Sequence, residues 1–76
     1  MIKNIMQSPD YIVSEAILEQ DKEFSADDIL NRVRTRLISF FDGSIDKLLS
    51  FIKNKIKVLW EARLLTFTGF YYYVNA

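Results

Sequence analysis

The fold of this chain is decided by the stretch Ser44–Glu61, which reads SIDKLLSFIKNKIKVLWE. On a helix of 3.6 residues per turn, its large apolar residues fall on one arc and its polar residues fall on the opposite arc. The apolar arc comprises Ile45, Leu48, Leu49, Ile52, Ile56, Leu59 and Trp60, and the polar arc comprises Asp46, Lys47, Ser50, Asn54, Lys57 and Glu61. The pattern predicts a long helix that packs on a core and presents its polar arc to a partner.

Two shorter helices are predicted before this stretch. The first begins at residues 8–10, SPD, where a capping serine precedes a proline at the first helical position, and we expect it to continue to about Gln20. The second begins after Ser25, which is also a favourable capping residue. The predicted buried stripes are Ile12, Val13, Ala16 and Ile17 in the first helix and Ala26, Ile29, Leu30, Val33 and Leu37 in the second.

The segments around the long helix predict a turn before it and a hairpin after it. Phe40 and Phe41 are expected to fill the core beneath a turn formed by Asp42-Gly43. Two β-prone runs around Gly69 predict a hairpin with a three-residue loop, in which Gly69 has a left-handed conformation. The hairpin register stays open, and Glu23–Phe24 is either a very short strand or simply an anchor.

The composition describes one small domain spanning residues 1–76. Half of the residues are hydrophobic and the net charge is zero, so a disordered chain is not expected. The N-terminus is too short and too polar for a signal peptide, and no apolar run reaches the length of a membrane span, so we expect a cytoplasmic protein. Residues 1–7 show no clear period and are expected either to dock on the domain or to fray.

No feature of the sequence indicates catalysis. The chain has no cysteine and no histidine, which removes disulfides, zinc–thiolate sites and the commonest general base. Asp27 and Asp28 resemble a pair of acid–base carboxylates, but at the start of the second helix they favour the helix dipole. We therefore expect no enzyme, no catalytic residue, no metal site and no cofactor.

The charges are distributed unevenly along the chain. Residues 1–28 contain two basic and seven acidic residues, whereas residues 29–76 contain eight basic and three acidic residues. Such an asymmetry suggests an anionic partner for the basic half. The alternative is that the charges only keep two faces of the domain solvated, since overall neutrality weakens the field that a distant polyanion feels.

The order of predicted elements resembles the winged helix-turn-helix superfamily over about residues 10–74. The segment LWEARLLTFTGFYYYV, residues 59–74, is similar to that family's passage from its recognition helix into its β-hairpin wing. Arg63 stands where the family usually has a glycine that ends the helix. The resemblance implies an α+β, mainly α fold in which three helices precede a C-terminal β-hairpin.

In the family, the third helix enters the major groove of DNA and the wing touches the phosphate backbone or the minor groove. The resemblance therefore implies a set of DNA-binding residues whose side chains suit base edges and phosphates. That set comprises Ser44, Lys47, Ser50, Asn54 and Lys57 on the third helix, Lys53 at its edge, and Arg32, Arg34 and Arg36 on the second helix.

Two features depart from a typical DNA reader. The hairpin contains no lysine or arginine after Arg63, and Asp46 and Glu61 share the polar arc of the third helix. Phe51 and Val58 beside that arc are apolar, and we expect Phe51 to pack against the wing or the first helix.

The sequence thus predicts a small DNA-binding regulator of transcription or replication that binds double-stranded DNA as a homodimer. Tyr11 and Leu18 point away from the buried stripe of the first helix and are the candidate dimer contact. The alternative is that they are scattered surface residues or are covered by the N-terminal segment. The alternative function is a protein-interaction or assembly module that binds no DNA, favoured by the neutral charge and the aromatic hairpin. Single-stranded nucleic acid stacked on the tyrosines is a third hypothesis, but no basic residue accompanies those rings.

Overall fold

The structure, a computed structural model, describes residues 8–75 and has the predicted α+β, mainly helical layout of a winged helix. The helices are α1 (Pro9–Leu18), α2 (Ala26–Leu37) and α3 (Ile45–Glu61), with a short 3-10 helix (Ile38–Phe41) between α2 and α3; the strands are β1 (Leu65–Phe67) and β2 (Tyr72–Val74). The prediction for residues 1–7 lies outside the described residues.

Serine caps begin all three α-helices, as the sequence predicts. The Ser8 side chain accepts a hydrogen bond from the Tyr11 amide, and the Ser44 side chain accepts one from the Lys47 amide. Ser25 and Asp28 form a reciprocal capping box, in which the Asp28 carboxylate accepts from the Ser25 amide at 2.8 Å. These local bonds satisfy amides that have no partner inside the helix, so each helix start is defined within one turn.

Helix α1 ends at Leu18, two residues before its predicted end. The backbone amide of Gln20 donates to the carbonyl of Ile17 instead of continuing the α-helical ladder. The Gln20 side-chain amide also folds back to donate to the carbonyl of Ala16. Gln20 therefore closes the last turn of α1 and does not extend it.

The three helices enclose a single apolar core. It contains the predicted stripes of α1 and α2, except that Ala26 is only half-buried, together with Leu48, Ile52 and Ile56 of α3. Phe24 and Leu65 extend the core from the hairpin side. No polar or charged side chain within residues 8–75 is buried in this core.

Trp60 and Phe40 lie outside this core, contrary to prediction. Trp60 is 46% exposed because it lies in the last turn of α3, beside the hairpin and beyond the buried residues of the helix. Phe40 is 59% exposed, since a 3-10 helix rotates successive side chains by about 120° and only one of two adjacent residues can face inward. That residue is Phe41, whose ring lies 5.2 Å from the ring of Phe51. The predicted contact of Phe51 with the wing or α1 stays a prediction.

The link into α3 has the predicted Asp42-Gly43 turn. Both residues have positive φ angles, 58° for Asp42 and 75° for Gly43. Aspartate tolerates this left-handed region better than most residues, and glycine adopts it without steric cost. The turn thereby stops the 3-10 helix and redirects the chain to the cap of α3.

The hairpin pairs β1 with β2 antiparallel, with Phe67 opposite Tyr72. This register leaves an even number of residues in the loop, so the predicted three-residue loop is wrong. The Thr68 amide donates to the Tyr71 carbonyl at 2.8 Å, and this closure leaves Gly69 and Phe70 as the two central residues. Gly69 has the predicted positive φ, 105°.

Phe24 is both an anchor and a one-residue strand, which unites the two predicted alternatives. Its backbone exchanges two hydrogen bonds of 2.9 Å with Tyr72, and its side chain is fully buried. Phe24 thus lies on one side of β2, with β1 on the other side. The search for a helix that could span a membrane, which covers residues 8–75, finds none.

Candidate nucleic-acid interface

The exposed face of α3 lies directly opposite its buried face. Lys47, Ser50, Asn54 and Lys57 are all exposed, at spacings of three and four residues that keep them on one side of the helix. Leu48, Ile52 and Ile56 are fully buried on the other side. The core therefore fixes the rotation of α3 and presents these four polar side chains outward.

The same face carries groups that disfavour or do not serve DNA binding. Asp46 and Glu61 are exposed near the two ends of the helix, and Val58 is about half exposed between them. The carboxylates leave the middle of the helix, around Asn54, as the part of this face where an anionic partner meets least repulsion.

Lys47 is held by a local ion pair. Its ammonium lies 3.3 Å from the Asp42 carboxylate in the turn before α3, and both side chains are largely exposed. An exposed pair of this kind is worth about 0–1 kcal/mol, so a phosphate could replace Asp42 as the partner of Lys47. The same contact nevertheless lowers the positive charge at the start of α3.

Lys53 and Lys57 carry the freer charges of the helix. No carboxylate within residues 8–75 forms an ion pair with either of them. Lys53 borders a small cavity of about 240 Å³ that Tyr72, Ala26 and Ile56 also line. Lys53 therefore lies on the hairpin side of the exposed face, at the edge where the sequence predicts it.

Ser44 acts first as the cap of α3. Its hydroxyl oxygen accepts the Lys47 amide at 3.2 Å, which satisfies one of the free amides at the helix start. The remaining amides of this first turn, together with the helix dipole, are the groups that favour a phosphate at this end.

The three arginines of α2 do not form a single patch. Arg32 and Arg36 are four residues apart and share one flank of the helix, whereas Arg34 lies on the other flank. The Arg32 guanidinium donates to the Glu19 carboxylate at 2.9 Å and so joins α2 to the end of α1. Of these three arginines, Arg34 and Arg36 are exposed and form no ion pair with the described residues.

Lys55 has a role that the sequence does not predict. Its side chain is 18% exposed and forms an ion pair with Asp10 in the first turn of α1. Its position between the polar and apolar arcs of α3 was the available signal, because a lysine on that flank faces a neighbouring helix. The pair joins the middle of α3 to the start of α1 and helps to orient the exposed face.

The hairpin offers aromatic surface and no charge. Phe70 at its tip is 86% exposed, and Phe67, Tyr71 and Tyr73 are each between two-fifths and half exposed. Three hydrogen bonds between Thr68 and Tyr71 hold the tip. Its chemistry suits apolar or ring-stacking contacts and does not suit an ion pair with phosphate.

The candidate dimer contact on α1 is small. Tyr11 is half-buried and its hydroxyl donates to the Glu15 carboxylate at 3.4 Å, while Leu18 is 41% exposed. The two residues lie two turns apart on one side of α1.

Comparison of the chain with protein-family models, with curated proteins and with solved structures finds no match. Within residues 8–75, no three acidic side chains gather in a way that could hold a metal ion. The winged-helix likeness therefore rests on the order of the elements and on the local sequence, and the function has to be inferred from the exposed surfaces.

Proposed function

We propose that this chain is a small, cytoplasmic winged-helix protein that binds double-stranded DNA and regulates transcription or replication. The proposal is supported above all by one observation: α3 exposes Ser50, Asn54 and Lys57 on the side opposite its buried residues. A helix about 10–12 Å across fits the major groove, which is about 12 Å wide.

The exposed side chains have the chemistry for this role. Asn54 can accept and donate in a paired contact with adenine, and Lys57 can donate to guanine or to a phosphate. Lys53 on the flank toward the hairpin is directed to the phosphate backbone beside the groove. Lys47, Arg34 and Arg36 add positive charge at the edges of the contact, whereas Arg32 is engaged with Glu19.

The free charge is modest, and so is the expected salt dependence. If Lys53 and Lys57 each neutralise one phosphate, the logarithm of affinity should fall with a slope of about −1.8 against the logarithm of salt concentration. Affinity should then fall about tenfold between roughly 50 and 200 mM salt. A homodimer would double this slope and would read half-sites about 34 Å apart.

The test is a titration of random duplex DNA, at low and moderate salt, with backbone amide shifts as the measurement. The amides of residues 44–58 should shift at low salt, and much less at moderate salt. Replacing both Lys53 and Lys57 by Ala should weaken binding and flatten the salt slope. Lys22→Ala is the matched control, because Lys22 is an exposed lysine in the acidic half of the chain. No shift in residues 44–58 at low salt would refute the proposal.

A second function, as a protein-interaction or assembly module, is favoured by the uncharged aromatic hairpin. The 86% exposure of Phe70 leaves a large apolar ring in water, which is a common feature of interaction surfaces. The same titration separates the two functions, since a module of this kind predicts no shift of α3 with DNA.

A further inference from the structure

The turn before α3 places a negative charge beside Lys47. The Asp42 carboxylate lies 3.3 Å from the Lys47 ammonium, and both side chains are largely exposed. Lys53 and Lys57, the other exposed lysines of α3, form no ion pair with any carboxylate of residues 8–75. Of these three lysines, Lys47 is therefore the one whose charge is cancelled within the chain.

Backbone hydrogen bonds hold Asp42 in this position. The Asp42 amide donates to the Ile38 carbonyl, and the Ser44 amide donates to the Phe41 carbonyl at 2.9 Å. The turn is therefore fixed on both sides of Asp42. Its carboxylate stays close to Lys47 at a high effective concentration, which dilution of the protein does not lower.

The turn itself needs the shape of Asp42 and does not need its charge. The φ angle of 58° is one that aspartate and asparagine both tolerate better than most residues. An asparagine would keep the turn and leave the Lys47 charge uncancelled. Besides favouring the dipole of α3, the charge of Asp42 therefore acts on Lys47.

This pair changes what a DNA phosphate meets at the start of α3. Cations that neutralise phosphates supply the part of DNA binding that does not depend on sequence. The pair of Lys47 and Asp42 has no net charge, and a carboxylate displaced from Lys47 remains nearby and repels the phosphate that replaced it. Asn54, two turns further along α3, carries no charge and has no such competitor.

We infer that Asp42 is an internal competitor for the DNA phosphate at Lys47. It limits phosphate binding by the third helix, so that recognition depends more on contacts with base edges. The inference rests on the proposed DNA binding and assigns a residue that regulates its strength.

Asp42→Asn tests the inference, with random duplex DNA as the probe. The variant should bind up to about fivefold more tightly at low salt, since an exposed ion pair no longer competes. A third neutralised phosphate should steepen the salt slope per chain from about −1.8 to about −2.7. Affinity should then fall about fortyfold, and not about tenfold, between roughly 50 and 200 mM salt.

Two controls show whether the effect passes through Lys47. Asp21→Asn removes the same charge from an exposed aspartate that forms no ion pair with the described residues, and it should leave the slope unchanged. In a Lys47→Gln background, Asp42→Asn should also leave the slope unchanged, because no cation is released. A purely structural role of Asp42 at the start of α3 predicts the same change with and without Lys47.

The outcomes separate this inference from the proposed function. If the unaltered protein and Asp42→Asn both shift residues 44–58 with DNA but have equal salt slopes, DNA binding stands and the inference is wrong. It is also wrong if Asp21→Asn steepens the slope as much, or if the change persists without Lys47. If neither protein binds DNA at low salt, the proposed function and the inference both fail.

Discussion

Replacing Arg63 by glycine is expected to stabilise the protein, because Arg63 has a φ angle of 68°. This residue follows the cap of α3 in a Schellman motif. Its amide donates to the Trp60 carbonyl at 2.9 Å, and the Leu64 amide donates to the Leu59 carbonyl at 3.0 Å. A glycine at this position would keep both bonds and remove the clash of the β-carbon.

The size of the effect follows from two opposing contributions. A left-handed conformation costs a residue with a side chain about 1–2 kcal/mol. Glycine loses more backbone entropy on folding than a residue with a side chain, and this loss offsets about 0.5–1 kcal/mol of the stabilisation. The net stabilisation should be about 0.5–1 kcal/mol, or a rise in Tm of about 2–8 °C for a domain of this size.

Urea unfolding followed by the fluorescence of Trp60, the single tryptophan, measures this difference. The midpoint should rise while the slope m stays unchanged, because the area exposed on unfolding is the same. Arg63→Ala is the matched control: it removes the charge and keeps the β-carbon, so its stability should stay within about 0.5 kcal/mol of the unaltered protein.

Glycine in an ordinary helical position should act in the opposite direction. Lys57→Gly replaces an exposed basic residue inside α3 and should destabilise by about 1 kcal/mol. If Arg63→Gly also destabilises, or if Arg63→Ala stabilises as much as the glycine variant, the explanation from positive φ is wrong.

Two further predictions concern packing and the contact between α1 and α3. Ile52→Val removes one methylene from a fully buried site at the centre of α3 and should lower the free energy of unfolding, measured in urea, by about 0.5–1.5 kcal/mol. Val58→Ala, at an exposed site, is the comparison. If Ile52→Val loses less stability than Val58→Ala, the assigned core is wrong. The ion pair of Asp10 and Lys55 can be tested by a double-mutant cycle with Asp10→Asn and Lys55→Met. The coupling free energy of unfolding should be up to about 1 kcal/mol and should fall as salt is added. A coupling free energy of zero at low salt would exclude the pair.

The helices could be predicted because their signals are local. A serine cap acts on an amide within three residues, and a stripe at helical spacing needs only some core to pack against. The exposed face of α3 followed from the same periodicity, since fixing Leu48, Ile52 and Ile56 inward fixes Asn54 outward.

The exceptions depend on contacts that the sequence pattern does not contain. Whether the hairpin loop has two or three residues depends on whether Thr68 pairs with Tyr71. Gly69 has a positive φ in both cases, so the glycine alone does not identify the loop length. Trp60 belongs to the apolar arc of α3, but it lies beyond the buried residues of that helix. Whether its ring is covered therefore depends on where the hairpin packs.

The candidate site was altered most by ion pairs between elements. Arg32 of α2 meets Glu19 at the end of α1, and Lys55 of α3 meets the exposed Asp10 in the first turn of α1. Residue type and spacing predict Arg32 as a DNA-binding residue, whereas in the folded chain its guanidinium pairs with Glu19. Only the packing of α1 against α2 and α3 identifies which positive charges remain.

The bridge between Phe24 and Tyr72 has a consequence for how the protein is made. Phe24 precedes α2, whereas Tyr72 lies in the last strand, so the two hydrogen bonds join positions that are synthesised far apart in time. Until Tyr72 is available, the backbone of Phe24 lacks these partners and its ring lacks the stacked ring of Tyr72. The nascent chain can form its helices early, but the core should close in one late, cooperative step after translation has passed Tyr72.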